Sequence, residues 1–221
     1  MTKAISNNLV NLFILALLPI SILLHAYWLP SSISTPAISD AGYVSIITLT
    51  FLACVFITLL TLIFNRKFAS SNLTTIASAY VVLIYFLREA DIHRLLTIEH
   101  VTRPKFYTMQ SVPLWQKIFA AAVFIFLALC LLYLLIKYIR IIWQKIRESE
   151  PWAIALFLWF VVLFISQLCD KSGLNHTHAG RVMEENAECW AAMFLFLAVV
   201  QLIPTLKMLN SQVSNASMPI E

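Results

Sequence analysis

The segment 88–94, at the end of an apolar run, contains carboxylate, imidazole and guanidinium groups. Glu89 and His93 are four residues apart, which places them on one face of a helix. A carboxylate and an imidazole so placed can share a metal ion, or the carboxylate can orient the imidazole as a general base. Arg88 and Asp91 form a second pair, which can simply neutralise charge near a membrane interface.

A second acidic group, Glu184, Glu185 and Glu188, opens the last apolar run of the chain. Acids in a first helical turn are stabilised by the helix dipole by about 0.3 to 1 kcal/mol, which accounts for Glu184 and Glu185. Glu188 lies deeper, where an ionised side chain facing hydrocarbon costs about 2.5 kcal/mol or more. We therefore expect Glu188 to face inward and to contact Arg88, Arg181, a histidine or a metal ion.

Histidines gather on the same side of the predicted bundle. The loop between the last two apolar runs contains His176 and His178 and two of the three glycines of the chain. Residues two apart point to opposite sides of an extended chain, so both imidazoles bind one ion only if this loop bends. His25 and His100 fall on the same side. The predicted ligands of a divalent ion such as zinc are His93, His176, His178 and Glu184, and the predicted catalytic residues are Glu89, Asp91, His93 and Glu188.

The stretch from Val101 to Lys117 mixes aromatic and basic residues. Such sequence is typical of a segment in the lipid headgroup zone, which is its simpler interpretation. The functional interpretation is a lid in which Arg103 and Lys105 hold a lipid phosphate over the polar cluster. The predicted substrate-binding residues are Arg88, Arg103, Lys105 and Arg181.

The composition places these residues in a membrane. Of 221 residues 61% are hydrophobic and 12% are charged, whereas a soluble domain has about 25% charged residues. The net charge of +4 comes from Lys and Arg beside apolar runs rather than from a basic stripe, which argues against nucleic acid as a partner. Membrane lipids are the expected partners, with a membrane protein or a second copy of the chain as further possibilities.

Six apolar runs are long enough to cross about 30 Å of hydrocarbon, which takes roughly 20 residues. The fold class is therefore an all-α polytopic membrane helix bundle, with one domain over residues 1–207 and a disordered polar tail over 208–221. The third run is the weakest, because Thr74, Thr75, Ser78 and Tyr80 dilute its apolar character. The six runs are 9–28, 43–64, 72–91, 113–138, 152–170 and 183–205.

The distribution of basic residues predicts that both termini are cytoplasmic. This orientation puts eight Lys and Arg residues inside and seven outside, with the outer ones interleaved with acids. We read the first run as an uncleaved anchor rather than a secretory signal, because its apolar stretch is long and ends in Trp28. The expected location is the inner (plasma) membrane of a bacterium.

The cysteines and glycines add two expectations. Cys54 and Cys130 fall inside apolar runs, where a small buried thiol is ordinary. Cys169 and Cys189 fall near the outer ends of runs five and six, so a disulfide between them is possible in an oxidising compartment. With three glycines and no GxxxG motif, helix contacts must rest on Ala, Ser and larger side chains.

Three functions remain open, and the sequence has no HExxH, GxSxG or Walker A motif to decide among them. One is a metal-dependent hydrolase or acid–base enzyme acting on a lipid or lipid-linked substrate at the outer face. Another is a transporter or membrane subunit whose buried charges form a proton path or lock helices together. The third is a redox protein with haem between His25 and His93.

Overall fold

The protein is all-helical over the residues that the computed structural model describes, which are 2–28, 42–64, 72–92, 104–172 and 177–216. No strand occurs in these ranges, and the predicted all-α membrane-helix fold is confirmed. A π-helical turn, Leu24–Trp28, directly follows the first helix. The helices are α1 (Thr2–Leu23), α2 (Tyr43–Phe64), α3 (Asn72–Glu89), α4 (Pro104–Thr108), α5 (Leu114–Arg147), α6 (Pro151–Lys171) and α7 (His178–Ala216).

Within the described residues, five helices are long and apolar enough to cross a membrane: α1 with its π turn, α2, α5, α6 and α7. Helix α3 has 18 residues, about 27 Å at 1.5 Å per residue. It is not among those five, because polar and charged residues at its ends, and the hydroxyl-bearing residues noted above, dilute its apolar character. The protein is thus a multi-pass membrane protein, and the sixth span stays a prediction.

The helix bounds follow local signals in the sequence. Helix α2 coincides with the predicted run 43–64. Helix α5 continues to Arg147, well beyond the apolar run, and α6 begins at Pro151, since proline is favoured in the first turn and cannot continue a preceding helix. Helix α7 begins at His178 and reaches Ala216, into the stretch 208–221 for which the sequence predicts disorder. Residues 217–221 lie outside the described part of the chain.

The chain divides into two compact units. Unit 1 comprises Met1–Thr58 and Arg140–Glu221, and unit 2 comprises Leu59–Ile139. Below, the outer end of unit 1 means the junction of α6 with α7, and its inner end means the junction of α5 with α6, following the predicted orientation.

Helices α6 and α7 form the most extensive helix pair of unit 1, and α1 packs against both. Small side chains are fully buried where these helices meet, as the shortage of glycine predicts. Val162 and Phe194 form the apolar centre, to which α1 contributes partly buried leucine and isoleucine side chains. The buried alanines are Ala153, Ala155, Ala187, Ala191, Ala192 and Ala198.

Three amide side chains, which we call the amide cluster, join the helices at the inner end of unit 1: Asn8, Asn11 and Gln201. Asn11 has 0% exposure. Its Nδ2 donates to the Pro151 carbonyl at 3.0 Å, and its Oδ1 accepts from Gln201 Nε2 at 3.1 Å. Asn8 Nδ2 donates to the Ser149 carbonyl at 2.7 Å. The amide cluster thus ties α1 to the α5–α6 junction and to α7.

We predict that Asn11→Ala destabilises the protein by about 1 to 2 kcal/mol, because interhelical hydrogen bonds in membranes contribute about 0.6 kcal/mol on average and up to about 1.7, and Asn11 makes two. Unfolding in mixed micelles, followed by circular dichroism, measures the change. The control is Thr50→Ala, since Thr50 is exposed and bonds only its own helix, to Ile46. Equal stability of Asn11→Ala and Thr50→Ala would contradict the role of the cluster.

In unit 2, side chains of α3 contact α5, and the two helices run antiparallel. Near the start of α3 the Thr74 hydroxyl lies 3.2 Å from Tyr133 OH and 2.9 Å from Tyr138 OH. Further along, Tyr80 OH donates to the Val123 carbonyl at 3.1 Å, and its ring meets Phe126 edge-on. Polar groups near the start and middle of α3 therefore fix its register on α5.

Candidate functional site

The buried carboxyl group of Glu188 is the centre of the candidate site. Glu188 lies on α7 with 8% exposure, and Ser166 on α6 has 0%. The Ser166 hydroxyl donates to Glu188 Oε1 at 3.2 Å. The expectation that Glu188 faces inward is confirmed, and the Ser166 hydroxyl that bonds it is not among the predicted partners, which stay predictions. A titratable group therefore sits between the two best-packed helices of unit 1.

Further polar side chains lie at the outer end of unit 1. Ser45 Oγ donates to Glu185 Oε2 at 3.5 Å, which joins α2 to α7. Asn186 is buried and donates to the Val182 carbonyl of its own helix at 2.9 Å. The acids of α7 are thus anchored by hydroxyl groups of α2 and α6.

His25 lies in the π-helical turn after α1, and both of its ring nitrogens make hydrogen bonds within the protein. Its Nδ1 lies 2.8 Å from the Ser21 carbonyl oxygen. Because a carbonyl oxygen only accepts, Nδ1 carries the proton. In the neutral ring Nε2 then accepts a hydrogen bond from Tyr43 OH. The Ser21 hydroxyl also accepts from Trp190 Nε1 at 2.8 Å. Axial haem ligation through Nε2 would have to displace Tyr43. His93, the other predicted haem ligand, lies outside the described residues, so the haem hypothesis stays a prediction.

Three predicted site residues follow one another on the first two turns of α7. His178 and Arg181 are exposed, and Glu184 is half-buried. Among the residues that the structure describes, no group of three or more His, Cys, Asp or Glu side chains is placed to hold a metal ion. Two of the predicted ligands, His93 and His176, lie outside the described ranges, so the metal site remains a prediction.

The end of α3 differs from what the sequence predicts. The helix ends at Glu89, and the following turn puts Asp91 in the left-handed region with a φ of 49°. The helix that would put Glu89 and His93 on one face therefore ends at Glu89. Arg88 Nε lies 3.5 Å from Glu89 Oε1, and the predicted pairing of Arg88 with Asp91 stays a prediction. Glu89 belongs to unit 2 and Glu188 to unit 1.

The aromatic and basic segment after α3 folds onto α5. Phe106 on α4 is fully buried with Val112 and Ala120, and Lys117 Nζ donates to the Met109 carbonyl at 2.6 Å. Burial raises the pKa of the neighbouring Tyr107 phenol. Lys105 is exposed, and Arg103 lies outside the described residues. Their role as a phosphate-binding lid stays a prediction.

A row of polar groups lies on one face of α6 and was missed in the sequence. Trp152, Trp159 and Ser166 are seven residues apart, and that spacing repeats one helical face. The indole Nε1 atoms of both tryptophans are buried, with no hydrogen-bond partner among the described residues. The same holds for Asn8 Oδ1 and Gln201 Oε1 in the amide cluster. The seven-residue spacing is the signal that could have identified this row.

The expected possibility of a Cys169–Cys189 disulfide is not realised. All four cysteines are free thiols, and Cys169 is buried. Cys189 is partly buried, and the two predicted partners are separate thiols.

We predict four alkylated cysteines when the purified protein is denatured without reductant and treated with iodoacetamide, since each is a free thiol. Mass spectrometry of the intact chain counts the adducts. The control is the same sample reduced before alkylation, which should have the same mass. Two fewer adducts in the unreduced sample would contradict the free thiols.

The fold and burial pattern define the class of protein as an integral membrane protein with apolar helices long enough to span. Comparison with known proteins adds no narrower identity: no protein-family model, curated protein or solved structure matches the chain.

Proposed function

We propose that the protein is a proton-linked transporter or membrane-complex subunit in which the Glu188 carboxylate takes up and releases a proton inside unit 1. The observation that carries the proposal is the burial of Glu188 against the fully buried Ser166. Moving a charged carboxylate out of water is costly, whereas the protonated group is neutral and can donate a hydrogen bond. Such groups within membrane helices mark proton and ion pathways.

The polar groups of unit 1 support a route for the proton. Glu188 and Gln201 are thirteen residues apart on α7, about 20 Å along the helix. Between them the Trp159 Nε1 atom is buried with no partner in the described chain. The apolar group around Phe194 and Val162 lies in the same region. Proton movement along this route therefore requires water to enter beside Trp159, and the apolar group acts as the barrier.

We predict that Glu188→Gln reduces proton flux to the background level, because an amide fills the same volume but cannot take up a proton. Flux into proteoliposomes is followed with an enclosed pH dye under an imposed membrane potential. The matched control is Glu148→Gln. Glu148 lies at the other end of unit 1, outside the apolar spans, and hydrogen bonds from Lys145 and Gln144 lower its pKa.

A spectroscopic readout separates the chemistry of Glu188 from a loss of folding. The infrared C=O band of the protonated carboxyl is expected in wild type and absent in Glu188→Gln. In Ser166→Ala that band moves to higher frequency, because a hydrogen bond to the carbonyl oxygen weakens the C=O bond. The proposal is ruled out if Glu188→Gln keeps the proton flux of wild type. It is also ruled out if no infrared carboxyl band disappears in Glu188→Gln.

A second candidate is the acid–base enzyme that acts on a lipid or lipid-linked substrate at the outer face. It is favoured by the exposure of Arg181 and His178 beside the half-buried Glu184. An exposed guanidinium can bind a phosphate by paired hydrogen bonds, and a nearby carboxylate can exchange a proton with the substrate.

If this candidate is correct, Arg181→Ala loses substrate binding, and the substrate lipid accumulates in the membranes of cells that produce the variant. Lipid mass spectrometry of wild-type and variant cells measures this. Arg140→Ala serves as the control, since Arg140 is an exposed guanidinium on α5. Identical lipid profiles in cells with wild type, variant and no protein would argue against lipid chemistry.

A further inference from the structure

An open apolar groove runs between α3 and α5 in unit 2. The side chains of Leu73, Phe126 and Leu129 that border it are largely exposed. In a membrane, an open apolar surface of this kind contacts lipid hydrocarbon rather than water. The groove is lined by Leu73, Ala77, Phe126, Leu129, Cys130 and Tyr133.

A fixed ammonium group lies at one end of the groove. Lys137 Nζ donates to Tyr133 OH at 2.9 Å and to Thr74 Oγ1 at 3.1 Å. It also lies 5.3 Å and 5.4 Å from the ring centres of Tyr133 and Tyr138. Tyr133 both lines the groove and holds the ammonium. The hydroxyl and ring contacts restrict the long lysine side chain, which reduces the entropy that binding an anion would cost.

The groove together with the ammonium beyond its end spans about the length of one membrane leaflet. Phe126 and Lys137 are eleven residues apart on α5, about 16 Å at 1.5 Å per residue, and the hydrocarbon core is about 30 Å thick. Lys137 lies twenty-three residues from the start of α5, about 35 Å along the helix, which places the ammonium near the opposite interface if α5 enters at Leu114. A chain in the groove would thus end near the membrane centre, with its headgroup at Lys137.

We propose that unit 2 binds one anionic phospholipid, with an acyl chain in the groove and its phosphate at Lys137. The ammonium has three N–H groups, and two are directed to Tyr133 and Thr74, so the third can donate to a phosphate oxygen. The positive charge complements an anionic headgroup, and the apolar lining complements the acyl chain. A single site therefore binds both the headgroup and an acyl chain of the lipid.

The test uses the full-length protein, delipidated in mild detergent and titrated with phosphatidylglycerol or phosphatidylcholine, and native mass spectrometry counts the lipids bound. Wild type is expected to retain one phosphatidylglycerol in preference to phosphatidylcholine. Lys137→Met lowers that preference about fivefold, which corresponds to about 1 kcal/mol per basic residue near an anionic lipid. Lys145→Met is the matched control, because Lys145 on the same helix pairs with Glu148 at 2.6 Å.

A second variant tests the groove without touching the charge. Ala77→Leu places a larger side chain in the groove and leaves Lys137, Tyr133 and Thr74 in place, so it is expected to reduce binding of both lipids. Lys137→Arg keeps the positive charge and is expected to keep the preference. The proposal is overturned if Lys137→Met binds phosphatidylglycerol as wild type does, if Lys145→Met loses it equally, or if Ala77→Leu leaves the bound lipid unchanged.

Discussion

Polar groups inside hydrocarbon must find partners within the protein, and this constraint governs how the helices of unit 1 are joined. Lipid tails cannot satisfy a donor or acceptor at that depth, and each unsatisfied group costs several kcal/mol. Asn11 on α1 meets the requirement with Pro151 and Gln201, and Ser166 on α6 meets it with Glu188. Each of these hydrogen bonds joins two different helices. The polar groups that need hydrogen-bond partners therefore also specify which helices pack together.

Close approach of α6 and α7 makes the Glu188 site possible. Fully buried alanines such as Ala187 and Ala191, which pack with Val162, let the two backbones come near, so that the short Ser166 side chain reaches the carboxyl group. A larger residue in place of these alanines would push the helices apart and break that contact. The site therefore depends on the small residues that pack beside it as much as on its own polar atoms.

The sequence predicts the long apolar helices well, because helix propensity and apolar length are local properties. The bounds of α2 match the predicted run, and α6 begins and ends within one residue of the run 152–170. The inward orientation of Glu188 was also predictable, since an exposed charge at that depth is costly. Its partner was not, because Ser166 is one hydroxyl in an apolar run and becomes significant only when α6 and α7 pair. The turn at Asp91 likewise ends a helix that side-chain spacing alone would continue.

The two ends of unit 1 differ in the kind of polar group that they hold, and this difference limits their roles. The amide cluster at the inner end is neutral and has no group that takes up a proton at ordinary pH, so Asn8, Asn11 and Gln201 can orient water and join helices. The outer end holds carboxyl groups, and of these Glu188 is the buried one. If a proton crosses unit 1, the carboxyl of Glu188 is where it resides, and the amides only line its approach.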